Sequence, residues 1–167
     1  MQLPTQFWLR CLACRSTFDS DSRDLTCPKC GSPLEALYEY ERLRSAHTGV
    51  PSVQGVTSIW RFAPILPITE RTKVVTLGEG GTPLVKADRI CDELGVRDLY
   101  VKDESRNPTL SFKDRKSSVG ITKALEFGSK AVASITAGNA GSSIAAYASK
   151  AGIESYIFTF RGISNAK

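Results

Sequence analysis

Two groups of residues in this chain have the type and spacing to do chemistry. Cys11 and Cys14, followed by Cys27 and Cys30, form C-x2-C-x12-C-x2-C, two tight pairs whose four thiolates suit a tetrahedral metal, with zinc the expected ion. Four such ligands leave no open coordination position, so the metal is expected to be structural. The second group is Lys113, within Ser111-Phe112-Lys113-Asp114-Arg115, and the later run Thr136-Ala137-Gly138-Asn139-Ala140-Gly141. In the first turn of a helix, Lys113 meets the partial positive charge of the helix terminus, which disfavours an ammonium, and burial acts in the same direction. A neutral amine is the form that makes a Schiff base with an aldehyde. Taken alone, such a lysine is usually a solvated surface residue, and Asn139 alone is a serviceable helix N-cap. The glycine-bearing loop around Asn139 offers backbone amides to an anion. A third run, Leu77-Gly78-Glu79-Gly80-Gly81-Thr82-Pro83-Leu84, is glycine-rich but lacks the Gly-Lys-Ser/Thr ending of a phosphate loop.

Elements of regular structure must position these groups. Residues 1–38 read as a self-contained cysteine module, too small to bury a core of its own, so that the metal supplies much of its folding free energy. Residues 39–75 read as a connector broken by Pro51, Pro64 and Pro67, with one helix near Ala36 to Ser45 and a short one near Ser58 to Phe62. From Leu84 onward, helical and strand periods alternate. Ala87 to Leu94 is expected as a helix closed by Gly95, and Leu99 to Val101 as a strand. Phe112 to Phe127 is a helix closed by Gly128, Ala131 to Ile135 a short buried strand, Asn139 to Lys150 a helix closed by Gly152, and Ser155 to Phe160 a strand. Right-handed crossovers would set the strands side by side in one parallel sheet, with the loops 103–112 and 136–139 at its carboxyl edge. Cys91 falls on the apolar side of its helix and reads as a small core residue.

In this order, a four-cysteine ribbon, GEGGTPL, VKDESRNPT-SFKDR and TAGNAG, the sequence resembles the zinc-ribbon type of threonine synthase. That is a pyridoxal phosphate (PLP) enzyme of the tryptophan-synthase-β fold type, and the resemblance covers essentially the whole chain. It implies an α/β fold: a parallel sheet with flanking helices (a partial PLP fold type II) preceded by a small four-cysteine zinc ribbon. Residues 76–167 are then the front part of the PLP-dependent domain. It implies that Lys113 is the cofactor lysine and acid/base, that Asn139 hydrogen-bonds the phenolic oxygen of the cofactor, and that the amides from Thr136 through Ala137, Gly138 and Asn139 to Ala140 receive the substrate carboxylate. Thr82, Lys102 and Arg115 are placed to meet the substrate or its phosphate. The implied reaction converts O-phospho-L-homoserine and water to L-threonine and phosphate, in amino-acid biosynthesis. Two positions depart from the usual run: Leu110 and Lys116 stand where glycine is common, and a side chain at 110 would crowd the cofactor. The last residues, Ser164-Asn165-Ala166-Lys167, read as a turn toward another helix. The family's glycine-rich loop for the PLP phosphate and its group facing the pyridine nitrogen belong to a later region, so the 167 residues carry half of an active site. Weak cofactor binding, no activity of the chain alone, and an exposed sheet face open to a second copy or to the missing half follow.

The bulk composition excludes several other classes. With 41% hydrophobic and 23% charged residues the chain has the balance of an ordinary globular protein. Its net charge of +5 is mild, and the cysteine module balances Arg10, Arg15, Arg23 and Lys29 against Asp19, Asp21, Asp24, Glu35 and Glu39, so no nucleic-acid partner is expected. No apolar run reaches the roughly 18 residues of a membrane helix, and the first residues do not read as a signal peptide. A cytoplasmic location with reduced cysteines is the expectation. Two other readings stay open. One is a related PLP replacement enzyme, such as a cysteate synthase or an amino-acid dehydratase. The other is a non-catalytic remnant that binds a protein partner through the ribbon.

Overall fold

The computed structural model describes residues 7–46, 49–50, 52–69 and 73–162; the expectation placed on the last four residues lies outside them. The cysteine module is a three-stranded antiparallel sheet. Its central strand β1 (Phe7–Cys11) lies between β2 (Thr17–Phe18) and β3 (Leu34–Tyr38). β1 pairs along its whole length with β3, from Phe7 opposite Tyr38 to Cys11 opposite Leu34. That pairing corrects the helix expected from Ala36: Ala36 lies in β3, and helix α1 (Tyr40–Ala46) starts only after the strand ends. Helical propensity over so short a run is overridden by a full partner strand. Phe7, Tyr38 and Leu43 form the core here, with Leu9, Ala36 and Ile65 packed against it.

The short helix expected near Ser58 is a 3-10 helix over Ile59–Ile65, begun by the Ser58 hydroxyl accepting from the Trp60 amide. Beyond it come β4 (Leu84–Lys86), α2 (Asp88–Leu94), β5 (Tyr100–Lys102), α3 (Lys113–Glu126), β6 (Ala131–Ile135), α4 (Asn139–Ala151) and β7 (Glu154–Phe158). Among the described residues only β6 and β7 are parallel, in register from Ala131 opposite Glu154 to Ile135 opposite Phe158. The single sheet expected from the alternation of elements is corrected: β4 and β5 form their own antiparallel pair, Leu84 opposite Lys102. Every residue of these two strands is exposed, so neither has a buried face that would hold it in the central sheet. β6 is likewise not fully buried. Val132 and Ser134 are half-covered, while Ala131, Ala133 and Ile135 face outward.

The main core lies where α3 crosses α4 over β6. Ile121 and Leu125 on α3 meet Ile144, Tyr147, Ala148 and Ala151 on α4, a stripe with the spacing of one helix face. α3 also anchors what precedes it. The Trp60 indole donates to Ser118 Oγ at 2.9 Å, Ser118 Oγ donates to the Val75 carbonyl at 2.7 Å, and the Val75 amide donates to Thr122 Oγ1 at 2.9 Å. These groups are buried, so each bond replaces water that cannot reach it. At the far end of α3, Lys123 Nζ lies 5.2 Å from the Phe7 ring centroid and 4.8 Å from that of Phe127, and donates to the Ser20 carbonyl and Glu126. The cysteine module is thereby fastened to the helix that begins at Lys113. Ser118→Ala is expected to cost about 1–3 kcal/mol in urea unfolding, because it leaves the Trp60 N–H without an acceptor.

Candidate active site

Lys113 is the first residue of α3. Its amide donates to Ser111 Oγ at 3.2 Å, and its Nζ lies 4.3 Å from the centroid of the neighbouring Phe112 ring. Phe112, the capping residue, makes no side-chain cap. The next acidic residue takes over. Asp114, fully buried, accepts from the Thr109 amide at 2.6 Å, from the Thr109 hydroxyl, and from Ser143 Oγ at 2.6 Å. An acidic side chain in a first turn is also favoured by the helix dipole. The bonds to Thr109 draw the loop back on itself and put Leu110 at φ 59°, in the left-handed region. Glycine would be unstrained there, so the departure noted at Leu110 carries a backbone cost. Its side chain is 75% exposed.

The Asn139 loop joins β6 to α4. The Thr136 amide donates to the Phe158 carbonyl at 2.9 Å, and Gly138 donates to Thr136 Oγ1 at 3.3 Å. Gly138 holds the cap position and Asn139 is the first helical residue, with no side-chain cap; the N-cap reading of Asn139 is corrected by one residue. A Cβ on Gly141 would stand 2.9 Å from an Ile157 methyl and 3.0 Å from a Thr136 methyl, so a larger residue would force the helix away from the strand. Ala137, Gly138, Asn139 and Ala140 form the head of α4, where first-turn amides lack intrahelical acceptors. Ser143 lies one turn beyond Asn139 on the same side of α4. Its bond to Asp114 therefore ties the heads of α3 and α4 together, and with them Lys113 and Asn139.

Thr82, Lys102 and Arg115 are also brought together, around Glu104. Arg115 forks onto Glu104, Nε to Oε2 and Nη2 to Oε1, both at 2.7 Å. The buried Thr82 donates to Glu104 Oε1 at 2.7 Å, Arg115 Nη2 reaches Thr82 Oγ1 at 3.2 Å, and Lys102 Nζ donates to the Thr82 carbonyl. Asn107 completes the knot: its amide nitrogen donates to Glu104 and its oxygen accepts from the Gly80 amide at 3.0 Å. The Arg115 guanidinium first, with Thr82 and Asn107, outweighs partial burial and holds the Glu104 carboxyl down to about 2. The glycines of the preceding loop make room for the connector: a Cβ on Gly80 would stand 2.6 Å from the Ile59 nitrogen, and one on Gly81 2.7 Å from the Thr57 carbonyl oxygen. Glu79, fully buried, accepts from the Tyr147 hydroxyl at 2.7 Å and from Thr76 and the Leu77 amide. Burial and this bond push the Tyr147 hydroxyl well above its ordinary range. Glu79, Glu104, Asn107, Asp114, Ser143 and Tyr147 were not singled out by sequence. Only Asp114 carried a local signal, an acid in a first helical turn.

At the other end of the chain, the four cysteine sulfurs lie within 4.8 Å of one another. Cys11 and Cys30 are 3.4 Å apart, Cys14 and Cys27 3.6 Å, close to the roughly 3.8 Å edge of a tetrahedron with metal–sulfur bonds near 2.3 Å. The two turns are alike: Arg15 (φ 61°) and Gly31 (φ 73°) each follow the second cysteine of a pair in left-handed conformation. Hydrogen bonds from Ser16 bring the Cys14 thiol down to about 6, whereas burial pushes Cys27 up to about 11. A cation among them is what would let all four ionise together. Cys91 is buried on α2, as expected of a core residue.

Residues 75–167 match the pyridoxal-phosphate dependent enzyme family. The chain belongs to that family. It is 41% identical to a threonine synthase of Methanocaldococcus jannaschii over 143 residues, 86% of this chain and 35% of that protein. It is 41% identical to a threonine synthase of Methanosarcina acetivorans over 151 residues, 88% of this chain and 35% of that one. A third threonine synthase, from Synechocystis, is 45% identical over 98 residues, 58% of this chain and 25% of its own length. The first two matches are too long to be confined to residues 75–167, so the likeness extends into the front of the chain. The chain resembles the amino-terminal portion of threonine synthases and spans about a third of the length of these first two relatives.

Within this PLP-family member, a primary amine at one helix head, tied through Asp114 and Ser143 to a second helix head, is a donor set that fits an aldehyde cofactor. Among the described residues no helix is long and apolar enough to cross a membrane. Two outcomes test this geometry. Glu104 has a depressed folded-state value, so its stabilisation is present above the ordinary carboxyl range and is lost as pH falls toward 2. Glu104→Gln is therefore expected to flatten the acid limb of a stability-versus-pH curve. Leu110→Gly is expected to be neutral or stabilising by up to about 1 kcal/mol in thermal unfolding, since it removes left-handed strain at an exposed site.

Proposed function

We propose that residues 76–167 form the Lys113–Asn139 part of a threonine synthase active site, converting O-phospho-L-homoserine and water to L-threonine and phosphate, a lyase reaction of threonine biosynthesis. The observation that carries the reading is the Asp114–Ser143 bond, which joins the helix heads bearing Lys113 and Asn139 in a chain whose curated relatives are threonine synthases. Bound pyridoxal phosphate supplies an electron sink for negative charge at the substrate carbons. Lys113 Nζ holds the cofactor and, when freed by substrate, moves protons as acid and base. Asn139 donates a hydrogen bond to the cofactor's ring oxygen. Of the amides from Thr136 to Ala140, that of Thr136 is given to the Phe158 carbonyl and that of Gly138 to Thr136 Oγ1, so the substrate carboxylate would be received by those of Ala137, Asn139 and Ala140 at the positive end of α4. Thr82, Lys102 and Arg115 bind the substrate phosphate only by displacing Glu104, which now occupies the Arg115 fork. The phosphate loop for the cofactor and the group facing its ring nitrogen are assigned to a region outside these 167 residues.

In the same proposal residues 1–38 are a zinc ribbon and 39–75 a connector. The zinc is structural, held by Cys11, Cys14, Cys27 and Cys30, and four thiolates of this kind suit a reducing cytoplasm.

For the cofactor assignment, the purified chain is mixed with pyridoxal phosphate and treated with borohydride. A stable adduct on Lys113 is expected, and Lys113→Ala yielding the same adduct would refute the assignment. Turnover of phosphohomoserine but not phosphoserine by a whole enzyme carrying this segment separates threonine synthase from cysteate synthase. Metal analysis is expected to find about one zinc per chain. A strong chelator should then abolish the ribbon's protection from proteolysis, and a metal-free ribbon that resists proteolysis equally would sink the zinc assignment.

A further inference from the structure

At the head of α3 the capping residue Phe112 makes no side-chain cap, and Ser111 Oγ takes up only the Lys113 amide, so the head needs a further tie to the rest of the protein. What fixes it is Asp114, whose side chain is fully buried among Thr109 on its own loop and Ser143 on α4, with neutral donors as its hydrogen-bond partners. Ser143 is also fully buried. The loop between Thr109 and Asp114 carries the left-handed Leu110, and such strain persists only where surrounding bonds over-determine it. Lys113 is bonded in sequence to the residue making these contacts. Asn139 lies one turn before the residue receiving the cross-helix one.

We propose that Asp114 is a positioning residue for Lys113: by holding Thr109 and Ser143 at once, it sets the bearing of the Lys113 amine relative to the Asn139 loop. The inference rests on Lys113 being the cofactor lysine and adds to it the group that aims the amine. Asp114→Asn keeps the size but removes the charge: its Oδ1 can still accept from the Thr109 amide, while its NH2 faces the Thr109 and Ser143 hydroxyls, which must turn from donating to accepting, so the charge-assisted hold on both is lost.

The exposed Lys116, one turn along the same helix, supplies an internal reference. The whole chain and its variants are exposed to pyridoxal phosphate, treated with borohydride, and the adducts on Lys113 and Lys116 quantified by peptide mass spectrometry. Asp114→Asn is expected to lower the Lys113-to-Lys116 ratio about tenfold and Ser143→Ala about threefold, with helical circular dichroism retained. A merely structural role would lower the melting temperature and leave the ratio unchanged, since both lysines ride on α3. If Asp114→Asn does not fold, Ser143→Ala decides: an unchanged ratio in that folded variant overturns the proposal. Absence of any Lys113 adduct in the unsubstituted chain overturns the cofactor reading and this inference with it. An adduct indifferent to both substitutions overturns this inference alone.

Discussion

A carboxyl group taken out of water must be met by donors, and the way Asp114 meets that demand organises the heads of α3 and α4. Its three hydrogen bonds close the loop before α3 and attach α3 to α4. They add a directional tie to two helices packed through Ile121, Ile144, Tyr147 and Ala148. Hydrocarbon contacts supply adhesion, whereas the directional bond fixes register. The neighbouring buried acid, Glu79, does for the glycine-rich loop what Asp114 does for the lysine loop, through the Tyr147 hydroxyl on the same α4. Two carboxyl groups and two hydroxyls thus link two separate runs of sequence to one helix.

The glycines around these acids serve spatial needs. Gly80 and Gly81 let the chain pass against Thr57 and Ile59, and Gly141 lets α4 lie close over β7. A phosphate-binding explanation of the first two is unnecessary. The basic residues beside them are similarly committed: Arg115 and Thr82 find their partner in Glu104, and Lys102 in the backbone of Thr82. An anion reaching Arg115 would have to break the Glu104 fork first.

Much of this was legible in the sequence, for definite reasons. α2, α3 and α4 were bounded to within about two residues because glycines at 95, 128 and 152 close them in left-handed conformation. The cysteine cluster followed from spacing alone, since paired C-x2-C turns bring four sulfurs to one point. The connectivity of the strands was not legible. β4 and β5 look like sheet strands by residue type, and only the lack of a covering layer turns them into a separate pair. Ala36 was misread because the pairing of β3 with β1 is a contact between distant residues. Glu104, Ser143 and Tyr147 went unnoticed for the same reason: their significance lies in partners 11 to 68 positions away.

The placement of α3 carries a mechanical consequence. Lys113 opens the helix, and Lys123, against Phe7 and Ser20, sits ten residues further on, about 15 Å along a rigid rod. For a rod of that length, a tilt of about 4° at the cysteine end swings the lysine end by about 1 Å, a displacement large enough to matter to a reacting amine. The cysteine module is far from the lysine in space, yet it holds one end of the lever whose other end carries it.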